Sequence, residues 1–127
     1  MSKELKRLKA KAWKVFSEYI RQRDADNYGI CACVTCGKRR HWKEMHAGHF
    51  VKRGYTAVLF DEHNVHAQCP ACNTFKGGMQ DEYARYIIDT YGLDEFNRLL
   101  NMKHEISSMK EEDYLNIIEK YGDKHGS

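Results

Sequence analysis

Four cysteines stand in two pairs of identical spacing, Cys33-Val-Thr-Cys36 and Cys69-Pro-Ala-Cys72. A C-x-x-C turn presents two thiolates to one ion, and two such turns complete the tetrahedral sulfur shell that zinc prefers. Gly37 and Asn73 follow the two pairs, as tight turns require. A redox dithiol, the main rival, would sit near a βαβ pattern, which this sequence lacks. Four thiolates close the shell and leave no position for water, so the expected zinc is structural and not catalytic. The fifth cysteine, Cys31, could pair with Cys33 only in the less usual C-x-C geometry, and it is read as a free thiol. The opening residues form no apolar leader and no run approaches 18 apolar residues, so we expect neither export nor a membrane span. In a reducing compartment such cysteines are ligands rather than disulfides.

Between the knuckles lies a dense polar stretch, His46-Ala-Gly-His49 and then Asp61-Glu62-His63-Asn64-Val65-His66, with Asn73 just past the second knuckle. Fourteen residues separate His49 from Asn64, and eight separate Asn64 from Asn73. With two knuckles around this His-Asn-Asn spacing, the chain resembles the HNH branch of the ββα-metal (His-Me finger) nucleases. The stretches Cys33–Gly37, Ala47-Gly48-His49-Phe50 and Phe60–Gly78, followed by Glu82-Tyr83, look closest to the phage NinG/Rap recombination endonuclease family. The likeness covers roughly residues 12–100.

The resemblance implies a phosphodiester hydrolase, and the residue chemistry suits one. Such a reaction needs an activated water and relief for charge on the leaving oxygen. His49 would be the general base, because an unperturbed imidazole titrates near neutral pH. Asn73 would ligate a hard divalent ion, Mg²⁺ or Mn²⁺, which keeps most of its waters. Asn64 would brace the loop and orient His49. Many HNH enzymes carry a metal-binding Asp just before the base, where this chain has Gly48. The expected second ligand is therefore His66, then Asp61, then His46, in that order. His63 is expected to face solvent beside Asn64, and His41 to be a surface residue or a phosphate contact.

The elements that must position these groups follow from periodicity. Leu5, Leu8, Ala12, Val15, Phe16, Tyr19 and Ile20 recur at spacings of three and four, which predicts one amphipathic helix over residues 2–23. Residues 30–78 show no helical period; short extended pieces are expected over residues 45–51 and 65–68, with mostly loop between. Pro70 suits the first turn of a short helix and Gly77-Gly78 end it. Three more helices are expected over residues 80–91, 93–104 and 111–121, the one over 93–104 with Leu93, Phe96, Leu99 and Leu100 inward. A frayed tail is expected after Gly122.

Charge is unevenly spread along the 127 residues. Residues 1–23 carry eight Lys or Arg against two Glu, residues 24–80 are mildly basic, and residues 81–127 carry six basic against eleven acidic side chains. That gradient fits a polyanionic partner at the N-terminal side, or a solvated helix face. Lys38, Arg39, Arg40, Lys43, Lys52, Arg53 and Lys76 surround the polar stretch and suit phosphate contacts, with Trp42, Phe50, Tyr55 and Phe75 among them. Phe50 and Phe75 are expected in a small core around the zinc. Nothing resembles a recognition helix, so backbone and shape readout is expected.

The fold class expected is therefore α+β: a small ββα-metal core stapled by four cysteines. Residues 1–29 would form a basic N-terminal helix, residues 30–79 the core and residues 80–122 the C-terminal helices, in one integrated domain. The resemblance implies an endonuclease for branched recombination intermediates, Holliday junctions or D-loops. It would act in the cytoplasm of a bacterial host as a phage or prophage protein, with DNA and a second copy of the chain as its expected partners. The alternatives are a nonspecific or nicking nuclease with the same site, a non-catalytic zinc-stabilised DNA-binding module, and an adaptor for a protein partner.

Overall fold

The computed structural model describes residues 1–105 and 108–122; the tail expected to fray after Gly122 lies outside the described residues. Helix α1 runs Lys3–Arg23. The Ser2 hydroxyl accepts from the Leu5 amide at 3.0 Å and caps its start, and Glu4 in the first turn with Arg21 and Arg23 in the last complement the helix dipole. Two short strands follow, β1 (Ile30–Ala32) and β2 (Arg39–His41), paired antiparallel with Cys31 opposite Arg40. This hairpin was not expected, since three-residue strands are too short for an alternation to show.

Strands β3 (His46–His49) and β4 (Val65–Gln68) form the second antiparallel pair, within the two stretches expected to be extended. Its register sets His46 opposite Gln68, Ala47 opposite Ala67, Gly48 opposite His66 and His49 opposite Val65. Opposed residues share a face, so Ala47, His49, Val65 and Ala67 lie on one side and His46, Gly48, His66 and Gln68 on the other. A single π-helical turn, Ala71–Phe75, follows β4, with Pro70 at its start. The left-handed backbone of Gly77 and Gly78 (φ +63° and +88°) then turns the chain into α2 (Gln80–Tyr91). Helix α3 (Leu93–Asn101) continues through a 3₁₀ turn, Met102–His104, and α4 is Glu111–Gly122.

Helix α1 lies on the Ala47–Val65 face, and α4 returns to cover it. Phe16 and Ile20 are fully buried with Ala47, Val65 and Tyr121, and the Phe16 and Tyr121 rings meet edge to face at 4.8 Å. On the opposite side, Tyr83 and Ile87 of α2 and Leu99 of α3 close over Phe50, Val51 and Val58. A third cluster gathers Cys31, Met45 and Ala67 around three of the knuckle cysteines. Three apolar expectations change here. Phe50 is buried, but against Tyr83 and Phe96 rather than around the cysteines. Phe75 is 85% exposed, because the π turn buries Cys72 and leaves Phe75 outside. Leu93, expected inward, is exposed at the first position of α3.

Among the described residues no helix is long and apolar enough to cross a membrane.

Candidate metal centre and polar cleft

The two knuckles converge. The sulfurs of Cys33, Cys36, Cys69 and Cys72 all lie within 4.8 Å of one another, and Cys36 and Cys69 are 3.8 Å apart. A tetrahedron of zinc–sulfur bonds of about 2.3 Å has edges of about 3.8 Å, so the four could hold a structural metal such as zinc. Burial opposes ionisation of Cys33, but the Cys69 amide at 3.3 Å and the Thr35 hydroxyl, with the Cys36 and Thr35 amides, outweigh it and bring its pKa down to about 6. A thiolate is thus favoured before any metal arrives. Cys31 stands apart, buried, with its sulfur donating to the Arg21 carbonyl at 3.2 Å. Burial pushes its pKa to about 11, which makes it an inert thiol.

A cleft of about 570 Å³ opens beside this centre. His46, His49 and Asn73 line it together with Lys52, Arg53 and the Trp13–Ser17–Arg21 edge of α1. Asn73, brought up by the π turn, meets the Nδ1 of His46 at 3.0 Å through its side-chain amide. His49 is held through Nε2, 3.1 Å from the Leu59 carbonyl. A carbonyl only accepts, so Nε2 carries the proton and Nδ1 is the acceptor nitrogen. Burial, helped by the charge of Arg53 and partly offset by the Leu59 bond, lowers the His49 pKa to about 4. The ring is therefore neutral at physiological pH, with its acceptor lone pair free, but it is a weaker base than the unperturbed imidazole the sequence led us to expect.

Asn64 is fully buried, and its side chain makes no hydrogen bond to the His49 ring. Its Oδ1 accepts from the Val51 amide at 2.7 Å, and its Nδ2 donates to the carbonyls of Val51 and Val58 at 2.9 and 3.1 Å. It pins the loop whose next residue, Leu59, orients His49. The expected orienting role thus runs through the backbone and not through a direct side-chain bond.

Two of the three ranked metal candidates lie elsewhere. His66 is buried on the far face of β4, with Nδ1 3.0 Å from the Tyr83 hydroxyl and Nε2 2.7 Å from the Tyr91 hydroxyl. Both ring nitrogens are engaged, so it offers no lone pair to the cleft. Asp61 accepts from Arg98 at 2.9 Å and from the His63 amide, and it lines a different cleft between Thr56–Phe60 and α4. His46, ranked last, is the one beside Asn73. Spacing in the sequence could not decide this, because His46 and His66 share a strand face and differ only in what covers each end of it. His63 is half exposed but not free: it stacks on Tyr91 at 4.0 Å and bonds Glu95 at 2.5 Å. His41 accepts from the Lys43 amide at 3.2 Å and caps the turn Trp42–Glu44.

The basic residues divide similarly. Lys52 and Arg53 are exposed at the cleft. Lys38, Arg39 and Arg40 belong to the β1–β2 hairpin and Lys43 to the turn after it; Arg39 pairs with Asp26 at 3.2 Å. Lys76 is exposed just past the π turn. Arg23, counted in the basic arm, is an internal tie: it donates to the Glu62 and Val65 carbonyls at 2.7 and 2.9 Å and pairs with Asp24. Sequence reading passed over Trp13 and Gln68. A Trp13–Ser17–Arg21 stripe at helical spacing could have flagged the first; nothing local flags the second.

A family model described as Bacteriophage Lambda NinG protein matches residues 1–126, and the chain belongs to that family. It is 32% identical to "Protein ninG" of Salmonella phage P22 over 83 residues, which are 65% of this chain and 38% of that protein. It is 30% identical to "Protein ninG" of Escherichia phage 933W over 89 residues, 69% of this chain and 42% of that protein. Against "Protein ninG" of Escherichia phage lambda it is 29% identical over 89 residues, 69% of this chain and 41% of that one. The match thus spans about two fifths of these relatives' length. No solved structure matches the chain.

Proposed function

We propose that this NinG-family chain is a metal-dependent DNA endonuclease of HNH type, acting on branched recombination intermediates. The observation that carries the reading is His49: one ring nitrogen fixed by the Leu59 carbonyl, the other an acceptor, in a cationic cleft shared with the His46–Asn73 pair. In this reading Nδ1 of His49 takes a proton from a water as the water oxygen bonds to phosphorus and the bond from phosphorus to the 3′ oxygen breaks; the 3′ oxygen takes a proton from solvent and leaves as a hydroxyl, and His49 later returns its proton to solvent. Lys52 and Arg53 hold the phosphate, as cationic side chains do without regard to base sequence.

One imidazole and one amide at a cleft surface fit a divalent ion that keeps most of its waters. His46 and Asn73 would hold it, and a mixed nitrogen–oxygen pair favours Mn²⁺ over Mg²⁺. When bound, the ion would offset negative charge on the scissile phosphate and the leaving oxygen. A two-fold branched substrate would suit a two-fold protein, so the reading extends to a homodimer on a four-way junction.

A second reading has an observation of its own. Among the described residues that line the cleft there is no carboxylate. This favours a zinc-stabilised DNA-binding module with no chemistry. The deciding experiment is cleavage of a four-way junction and a matched linear duplex with Mg²⁺, Mn²⁺ or EDTA. The endonuclease reading expects metal-dependent cutting, faster on the junction and absent in EDTA. Equal cutting of both DNAs leaves a nonspecific nuclease. Binding with no cutting in any metal leaves the binding module.

A further inference from the structure

The His49 ring has a second neighbour besides its carbonyl. The Trp13 indole of α1 stacks on it, with centroids 4.9 Å apart and planes 24° from parallel. A bond through Nε2 favours one tautomer but by itself leaves the ring free to swing out of reach of the Leu59 carbonyl. A flat neighbour on the ring face removes that freedom. We infer that Trp13 is a positioning residue for the proposed base, clamping the His49 ring so that its acceptor nitrogen is held toward the cleft. The inference rests on the reading of His49 as a base.

The clamp is built into the fold. Ala12, Phe16 and Ile20, on the adjoining stripe of α1, are fully buried against the sheet and α4, so the helix cannot shift its Trp13 edge independently. Trp13 also packs on Phe16 at 6.0 Å and on Phe60 at 6.3 Å. Phe60 directly follows Leu59, so the two restraints on His49 are joined through one ring. Arg53 adds a third contact: its guanidinium carbon lies 4.5 Å from the indole centroid. A cation over an indole is attracted by the ring's quadrupole. The indole thus touches both the proposed phosphate ligand and the proposed base. Ser17 and Arg21 continue the same edge of α1 along the cleft. The N-terminal helix is thus a wall of the site as well as a carrier of charge.

The test compares Trp13→Phe, which keeps a flat ring, with Trp13→Leu, which keeps apolar bulk only. Both are made in the full chain loaded with zinc. Two readouts are taken: turnover of a four-way junction at saturating DNA with Mn²⁺, and the His49 tautomer from long-range ¹H–¹⁵N spectra without DNA. A clamp predicts that Trp13→Leu loses at least about tenfold in kcat with KM within about threefold, while Trp13→Phe stays within about threefold of the parent. It also predicts one Nε2–H tautomer in the parent and Trp13→Phe, and mixed tautomers in Trp13→Leu. An unchanged tautomer in Trp13→Leu, or a loss confined to KM, overturns the inference; the latter makes Trp13 a DNA contact. If the parent cuts no DNA with any metal, the endonuclease reading falls, and the tautomer spectra alone decide the clamp.

Discussion

The Gln68 side chain fills the space that any side chain on Gly48 would need. A Cβ built on Gly48 would overlap the Gln68 amide oxygen and stand 2.9 Å from its Cβ. Gln68 is fully buried and cannot move aside easily, since its Nε2 donates to the Gly78 carbonyl at 2.8 Å and to the Thr35 hydroxyl at 3.1 Å. Its Oε1 has no hydrogen-bond partner and lies against the Gly48 backbone. This is why a carboxylate before the proposed base is not available in this chain. Gly48→Ala should destabilise the fold by about 1–3 kcal/mol through overpacking. Urea unfolding measures it, and a midpoint equal to the parent's would remove the steric argument.

His66 makes stability depend on pH. Its ring is neutral between two tyrosine hydroxyls, and burial lowers its pKa from 6.5 to about 4. The unfolded chain therefore binds a proton in this window that the native state refuses. Stability is full above about pH 6.5 and is lost as pH falls toward 4. Between pH 7 and 5 this group alone should cost about 2 kcal/mol. His49, shifted in the same direction, adds a similar slope. Urea unfolding at both pH values should show a smaller acid loss in His66→Phe than in the parent. Equal losses would mean that His66 titrates normally.

His49→Ala should lower the cleavage rate by about 10²–10⁴-fold with little change in DNA affinity, because it removes a proton acceptor and leaves the cationic cleft in place. Cleavage within about threefold of the parent would rule out His49 as base. His46→Ala should instead raise the Mn²⁺ concentration needed for half-maximal rate. The same substitution at His66 should not move that concentration in whatever fraction stays folded.

Cys69→Ser should abolish metal binding and unfold the middle of the chain, because binding energy at a four-thiolate site is also folding energy. Metal analysis should find one zinc per parent chain. A parent free of zinc, or a Cys69→Ser variant with the parent's melting temperature, would count against a structural zinc.

Changing Lys3, Lys6, Lys9 and Lys11 to Gln keeps the helix and removes four charges. If α1 contacts DNA, each lost phosphate contact should flatten the slope of log K against log salt by roughly 0.9 on duplex DNA. The rate at saturating DNA should hold, since the cleft begins at Trp13. An unchanged slope would make this a solvated face and leave binding to Lys52, Arg53 and the β1–β2 hairpin.

Much of this protein is written locally. Ala12, Phe16 and Ile20 recur at helical spacing, so α1 was legible to within a residue; so were α2 and α4. The two C-x-x-C turns announce a metal centre because each pair's geometry depends on four consecutive residues. What the tertiary structure decided depends on partners distant in sequence. The pairing of β3 with β4 places Gln68 beside Gly48 and turns His66 toward Tyr83 and Tyr91, while His46, on the same face, reaches the open end near Asn73. The Asn64 side chain spends its bonds on Val51 and Val58, so His49 takes its orientation from Leu59. Trp13 reaches His49 only because α1 lies across the sheet. Periodicity records which face of an element is apolar, but not which neighbour that face meets; long-range packing settles that, and here it leaves His46 beside Asn73 and buries His66 against two tyrosines.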